Sequence, residues 1–148
     1  MTTIRSILAP TDFSPHSIQA VRYACGLAMQ LGATLHLLNV LPDIVPAGPD
    51  LMLAPTLPPE FYQQSEDQAC QQLRELLDPA WGQPKAVEVD IRWGGGVEGI
   101  VDYATDHKID LIVVATHGRT GLQHALMGSV AERIVREAPC PVLTVRAD

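Results

Sequence analysis

The clearest hydrophobic pattern in the chain is the unbroken apolar run Leu111–Ala115. Such a run is typical of a strand buried on both faces, as in the middle of a parallel sheet. A polar, glycine-bearing loop over residues 116–121 follows it, and Gly128 and Ser129 then precede apolar residues at helical spacing. The pattern therefore predicts a strand, a glycine loop and a helix that begins with small residues.

This arrangement directs backbone N–H groups and the positive end of a helix dipole toward one place, which suits a phosphate. Taken alone, the glycines could equally serve only to turn the chain, because short glycine motifs have many false positives. The first predicted strand, residues 4–10, adds a second indication because it ends in Thr11 and Asp12. Open α/β sheets place ligand contacts directly after buried strands. The two segments together favour a binding site.

The remaining segments alternate between helical and extended patterns. Ser14 and Pro15 predict the start of a helix, and Gly32 predicts its end. Further strands are predicted at residues 35–41, 86–93 and 141–145, and further helices at residues 60–77 and 97–107. Strict alternation of apolar and charged residues in 86–93 indicates an edge strand with one wetter face. The chain is therefore predicted to be an α/β protein with an open parallel sheet.

Two glycine- or proline-rich segments connect these predicted elements. Residues 94–96 are three consecutive glycines, which we interpret as a strand-to-helix turn and not as a phosphate loop. Residues 42–59 contain six prolines around an apolar centre, which excludes a regular helix. That segment is either a flap that closes near the ligand or a segment packed on the sheet edge or on a partner, and we favour packing.

Composition narrows the function classes. The 148 residues suit a single domain, and 47% hydrophobic content is ordinary for a globular protein. A net charge of −7 argues against a general nucleic-acid or membrane-surface binder. The start of the chain lacks a signal-peptide pattern, and the three cysteines form no CxxC pair. We expect a reduced, cytoplasmic protein without a membrane span.

Several of these segments, taken together, resemble the universal stress protein family. The resemblance rests on the stretch from Ala9 to Ser14, on Ala115-x-x-Gly118 followed after nine residues by Gly128-Ser129, and on the terminal run from Pro141 to Val145. It covers essentially the whole chain and points to the nucleotide-binding branch of the family. It implies an open five-stranded parallel sheet of order 3-2-1-4-5 with helices on both faces. That is a Rossmann-like fold, similar to the adenine nucleotide alpha hydrolases.

The resemblance also implies a ligand, ATP or AMP, with accompanying Mg²⁺ left open. The turn formed by Pro10, Thr11 and Asp12 would hold the base together with Val40, which from the residues alone would be sheet core. The phosphates would be bound by a second group of residues on the glycine loop and the last helix: Gly118, Gly128, Ser129 and Val130. His117 and Arg119 could reach the phosphates from the loop, or could simply be solvated.

One position departs from the family motif. Ala115 stands where the nucleotide-binding branch has its first glycine, and the sequence does not decide whether its methyl group presses on the ligand. The implied function is an ATP- or AMP-binding regulatory module of the stress response, which dimerises through the last strand, Pro141 to Val145. The alternatives are a nucleotide-free protein-interaction member, for which Ala115 is the best evidence, or a slow ATP hydrolase.

Catalytic patterns are weak in this sequence. Asp12 is a single carboxylate among the predicted loops at the site, and the sequence contains no P-loop, GxSxG or zinc-binding helix motif. His16, His36 and His107 fall outside the predicted site, so we expect structural roles for them. The sequence favours a binding module over an enzyme.

Overall fold

The computed structural model describes residues 2–44, 57–117 and 127–146. Five strands alternate with four helices in that part of the chain, and a 3-10 turn at Pro79–Trp81 precedes the third strand. In chain order the elements are β1 (Ser6–Pro10), α1 (Pro15–Leu31), β2 (Thr34–Leu41), α2 (Pro59–Leu76), β3 (Ala86–Trp93), α3 (Gly96–Asp106), β4 (Leu111–Ala115), α4 (Ser129–Glu137) and β5 (Val142–Val145).

The five strands form one parallel sheet in the order β3-β2-β1-β4-β5, which confirms the predicted fold class. In the register, Leu8 lies beside Ile112 and Val113 beside Leu143. The strand order reverses between β1 and β4. Ligands of open α/β sheets bind in the crevice at the carboxyl ends of the strands at such a point.

The sheet separates two apolar layers. We call the side covered by α1 and α2 the first face, where Ile7 and Val113 pack with the buried residues of those helices. The second face carries α3 and α4, and there Leu8 and Ile112 pack against Ile100 and other residues of the helices. Neighbouring residues of β1 and β4 alternate between the faces, as side chains along a strand must. This assignment decides which side chains meet the cavity described below.

Helix α1 has the ends that its sequence predicts. The Ser14 side chain accepts a hydrogen bond from the Ser17 backbone, and Pro15 opens the helix. Gly32 closes it in the left-handed conformation, with φ of 66°. Both termini thus follow from local chemistry.

The predicted edge strand and triple-glycine turn are also present. β3 pairs with β2 and ends the sheet on that side. Gly94 has φ of 117°, a conformation that favours glycine, and Gly95 precedes the first turn of α3. The proline-rich segment 42–59 falls largely outside the described residues, with α2 beginning at Pro59.

His36 lies in a polar cluster within the second face. It is 6% exposed, and its Nδ1 lies 3.0 Å from the Tyr103 hydroxyl and 3.5 Å from the Glu88 carboxylate. Burial lowers the pKa of His36 from its ordinary value; the Glu88 carboxylate opposes this shift and His107 adds to it. Burial also raises the pKa of Tyr103 to about 12, so its hydroxyl stays protonated. The structural role expected for His36 is therefore supported by its contacts.

This lowered pKa predicts an acid-sensitive fold. In the unfolded chain the His36 imidazole binds a proton near pH 6.5, whereas in the folded protein it does so only at lower pH. Between these two pKa values, proton binding therefore stabilises the unfolded chain. The free energy of unfolding should fall as pH drops below about 6.5 and level off below the folded pKa. His36→Gln should remove that part of the slope in urea unfolding measured from about pH 8 to pH 5. His16→Gln is the control, and an unchanged slope in His36→Gln would contradict the assignment.

Candidate functional site

A cavity of about 280 Å³ opens at the carboxyl ends of β1 and β4, where the strand order reverses. The structure brings together in its wall residues that the sequence analysis took from distant segments: Pro10, Thr11, Asp12, Val40, Ala115, Gly128, Ser129 and Val130. Gly118 and Arg119 lie outside the described residues. The convergence that the predicted site required is therefore observed for the part of the chain that the structure describes.

The turn between β1 and α1 is held by local hydrogen bonds. Asp12 Oδ1 accepts from the Ser14 backbone at 2.9 Å, and Thr11 Oγ1 accepts from the Phe13 backbone at 3.0 Å. Phe13 lies in the left-handed region with φ of 63°, which is unusual for a bulky residue. Strain of this kind persists where the surroundings fix it, and it often occurs at ligand sites. The turn thus holds the Asp12 backbone in a defined position at the cavity wall.

Asn39 supports this turn from the neighbouring strand and was missed by the sequence analysis. It is 7% exposed at the carboxyl end of β2, and its Nδ2 donates to the Thr11 carbonyl at 2.8 Å. An amide side chain within the otherwise apolar end of β2 was the signal that could have identified it. Asn39 thus connects β2, which carries Val40, to the β1–α1 turn, which carries Asp12.

Gly128 allows the start of α4 to approach the end of β4. Its N–H donates to the Thr116 carbonyl at 2.6 Å, and a Cβ atom at this position would lie 3.2 Å from that oxygen. A side chain here would require the neighbouring backbone to move, which gives a physical reason for glycine. The Gly128 N–H is engaged by the Thr116 carbonyl, so this residue provides close packing of α4 against β4, and its predicted contact with the phosphates stays a prediction.

The first turn of α4 faces the same cavity. Ser129, Val130 and Ala131 line it, and no side chain caps this end of the helix. The N–H groups of a first helical turn have no carbonyl acceptor within the helix, and the helix dipole makes them favourable for an anion. This end of the cavity therefore suits a negatively charged group.

The triple-glycine turn lies closer to the cavity than the sheet order suggested. Gly96 lines the wall although β3 is at the rim of the sheet. The reason is that α3 crosses the second face on its way from β3 to β4, so its first turn passes over the end of β2. The turn interpretation holds, but it did not place Gly96 at the cavity.

The deep part of the cavity is apolar. Its lining there comes from the second face and includes Val40, Ile100, Val114 and Ile134. Ala115 also lines the cavity, yet its side chain packs with the first-face core. The site thus has an apolar wall at the second face and hydrogen-bond donors at the start of α4.

The polar groups at the site do not form a metal centre in the part of the chain that the structure describes. No group of three metal-ligating side chains is assembled there. Asp12 lines the cavity, as does His117, whose Nδ1 lies 3.1 Å from Thr116 Oγ1. Within the described residues no helix has the length and apolar character to cross a membrane.

Comparisons with known proteins agree with this architecture. The family model described as the universal stress protein family matches residues 3–146. A universal stress protein of Methanocaldococcus jannaschii is 32% identical over 143 residues, covering 96% of this chain and 82% of the relative. The structure of a universal stress protein from Lactobacillus plantarum has a TM-score of 0.76 at 26% identity and covers 99% of this chain and all of that one.

A further similar structure is a universal stress protein in complex with cAMP. It has a TM-score of 0.68 at 22% identity, with 99% of this chain and 100% of that chain covered. At that identity the likeness supports the fold. The family match and the archaeal relative, both spanning nearly the whole sequence, show more than the fold: this chain belongs to the universal stress protein family.

Proposed function

We propose that the cavity binds an adenine nucleotide, ATP or AMP, and that the protein is a nucleotide-binding regulatory module of the stress response. The observation that carries this proposal is the convergence of Asp12, from the β1–α1 turn, with the first turn of α4 in one cavity. A carboxylate and a set of helix N–H groups offer an acceptor at one place and anion-binding donors at another. An adenylate presents matching groups, hydroxyl and amino donors at one end and phosphate at the other.

The shape and chemistry of the cavity support this assignment. A volume of about 280 Å³ is near the lower end for small-molecule sites. The apolar wall that includes Val40 suits a flat base, and the amides of Ser129 and Val130 suit the phosphates. The Ser129 hydroxyl can donate a further hydrogen bond, and Arg119 would add positive charge near the phosphates. That a protein of the same fold binds cAMP is consistent with such a ligand.

Mg²⁺ would enter this site together with the phosphates. Proteins usually hold Mg²⁺ through one or two carboxylates plus the phosphate oxygens of a nucleotide. Asp12, the carboxylate among the described residues of the cavity wall, is proposed for the base or ribose, so the phosphates themselves would supply the Mg²⁺ ligands. The fit is therefore to a metal–nucleotide complex and not to a metal bound by the protein alone.

Isothermal titration tests the proposal directly. ATP and AMP should each give a saturable heat with one site per chain, with and without Mg²⁺. Protein at about 100 μM detects any affinity of cellular use. If neither nucleotide produces heat at that concentration, the chain is a nucleotide-free member of the family.

Ala115 was the main argument for a nucleotide-free member, and its position weakens that argument. Its methyl group packs with the first-face core, whereas the apolar wall proposed for the base belongs to the second face. The same alternation along β4 places Val114 at the cavity. The alanine should therefore cost little affinity.

Ala115→Gly tests this point. We expect the affinity for AMP to stay within about twofold of the original protein, because the removed methyl group packs with the first-face core, away from the wall proposed for the base. We also expect the free energy of unfolding to fall by about 1 kcal/mol, since glycine in a strand is entropically unfavourable and the packing contact is lost. Titration and urea unfolding measure the two effects. An affinity gain of tenfold or more would show that the methyl group obstructs the ligand.

We also propose that two copies of the chain associate through β5. This strand is the last of the sheet and pairs with β4 alone among the described strands. An unpaired edge is a template for another strand. A two-fold dimer would extend the sheet across both copies.

A further inference from the structure

We propose that His16, together with His117, forms a position for the distal phosphates of the bound nucleotide and makes ATP binding, but not AMP binding, stronger at acidic pH. The inference rests on the proposed adenine-nucleotide site and goes beyond it. It names a residue that the sequence analysis placed outside the site and a form of regulation.

The two imidazoles come from different elements and lie side by side. His16 is the second residue of α1, and its ring centroid lies 6.4 Å from that of His117, with the ring planes tilted by 54°. His117 lines the cavity directly after β4. The structure thus brings His16, which we had expected to have only a structural role, next to the cavity wall.

The position of His117 relates this pair to the phosphate end of the site. The Cα atom of His117 would lie 3.7 Å from a Cβ atom built on Gly128, the residue that precedes the first turn of α4. A phosphate held by the amides of Ser129 and Val130 would therefore be a neighbour of His117. Phosphates farther along the chain of a triphosphate could then extend from His117 toward His16.

The start of α1 favours negative charge at this place. The helix has no acidic residue in its first turn, and its positive dipole end lies beside His16. An AMP molecule has a single phosphate and would end at α4. ATP has two more phosphates, and the positive end of the α1 dipole would stabilise their negative charge.

Three carboxylates on the elements that border the cavity each have a partner in the structure. From α3, Glu98 pairs with Arg133 at 2.8 Å, and from the first turn of α4, Glu132 pairs with Arg136 at 2.6 Å. From the β1–α1 turn, Asp12 accepts from the Ser14 backbone. Asp12, which among the described residues is the acidic residue nearest in sequence to His16, is itself part of the proposed nucleotide site.

Imidazole is the side chain that changes charge between about pH 5 and pH 8. A protonated imidazole beside phosphate oxygens forms a charge-assisted hydrogen bond, whereas a neutral one forms a weaker bond. Two imidazoles at the distal phosphates would thus make the ratio of ATP affinity to AMP affinity rise as pH falls.

The test is titration of the full chain with ATP and with AMP at about pH 6 and about pH 8, for the original protein, His16→Gln and His117→Gln. His107→Gln is the matched control, because His107 follows α3 at the opposite end of the strands and stacks on Tyr103. Each variant is compared with the original protein at the same pH, so the nucleotide's own protonation cancels. Thermal unfolding verifies that each variant is folded, and His16→Asn provides a second replacement.

We expect His16→Gln to weaken ATP binding about fivefold to tenfold at the acidic pH and less than about twofold at the alkaline pH. AMP binding should change less than about twofold at both. If AMP binds normally and ATP affinity in His16→Gln is unchanged at the acidic pH, this inference fails while the proposed function stands. Equal weakening of ATP and AMP would also overturn it. Absence of binding by both nucleotides to the original protein would overturn both proposals.

Discussion

Ser129→Pro is expected to weaken AMP binding by about 10- to 100-fold. Ser129 is the first residue of α4 and lines the cavity. Proline removes its N–H, which the proposed site uses as a donor to the phosphate. Charge-assisted hydrogen bonds from backbone amides are among the stronger ones, so the loss of one should be large. Isothermal titration with AMP measures it.

This substitution should leave the fold intact, which makes the result interpretable. Proline is well tolerated as the first residue of a helix, where its missing N–H has no partner within the helix. Gly128, which precedes it, has φ of −69° and ψ of 158°, the extended conformation that a residue before proline adopts. Thermal unfolding of the variant should therefore be close to that of the original protein.

Ser129→Ala is the matched control, because it removes the hydroxyl and keeps the N–H. We expect it to weaken AMP binding less than Ser129→Pro does, because the alanine variant loses only the hydroxyl, whereas the proline variant loses the hydroxyl and the N–H together. A Ser129→Pro variant that is folded and binds AMP as tightly as the original protein would show that the phosphate does not lie at the start of α4. The position of the base near Val40 would then need to be determined independently.

The sequence predicted those parts of the molecule that local chemistry determines. The apolar run of β4, the alternation in β3 and the Ser14 and Gly32 ends of α1 each reflect a rule that acts within a few residues. The strand order came from resemblance, and it is confirmed. Because the order fixes which strand ends adjoin, it also predicted that Asp12 and Ala115 lie in one crevice.

The features that were missed depend on contacts between distant segments. Asn39 reaches the Thr11 carbonyl only because β1 and β2 are neighbours. Gly96 lines the cavity only because α3 crosses the second face. His16 meets His117 across 101 positions of sequence, and no motif contains both residues. No pattern confined to one segment contains such information.

The position of Ala115 shows what packing adds to a motif. From the sequence alone, the alanine that replaces the motif glycine either obstructs the ligand or leaves its binding unchanged. The outcome depends on the direction of one Cα–Cβ bond, and that direction follows from the alternation of β4 between two packed faces.

Thr144→Pro is expected to convert a dimer into a monomer. The carbonyl groups of Pro141 and Val145 accept hydrogen bonds from Ile112 and Thr116 of the β4 side. Backbone groups alternate in direction along a strand, so those of Val142 and Thr144 point away from β4 toward the open edge. Proline at 144 removes an outward N–H, while the hydrogen bonds to β4 are kept. Light scattering at micromolar concentrations should give twice the chain mass for the original protein and the single mass for the variant.

Thr144→Val is the control for the loss of the threonine side chain. It keeps the outward N–H and should remain dimeric, because strand pairing depends on the backbone. Proline is tolerated on edge strands that do not use its N–H, so the folded monomer should have an unfolding temperature close to the original at low protein concentration. A dimer that persists in Thr144→Pro would place the interface elsewhere, and a monomeric original protein would remove it altogether. Leu143 and Val145 of β5 also pack against the first-face core, so loss of the strand would lower the unfolding temperature. The single chain mass together with an unchanged unfolding temperature would therefore show loss of association without loss of the strand.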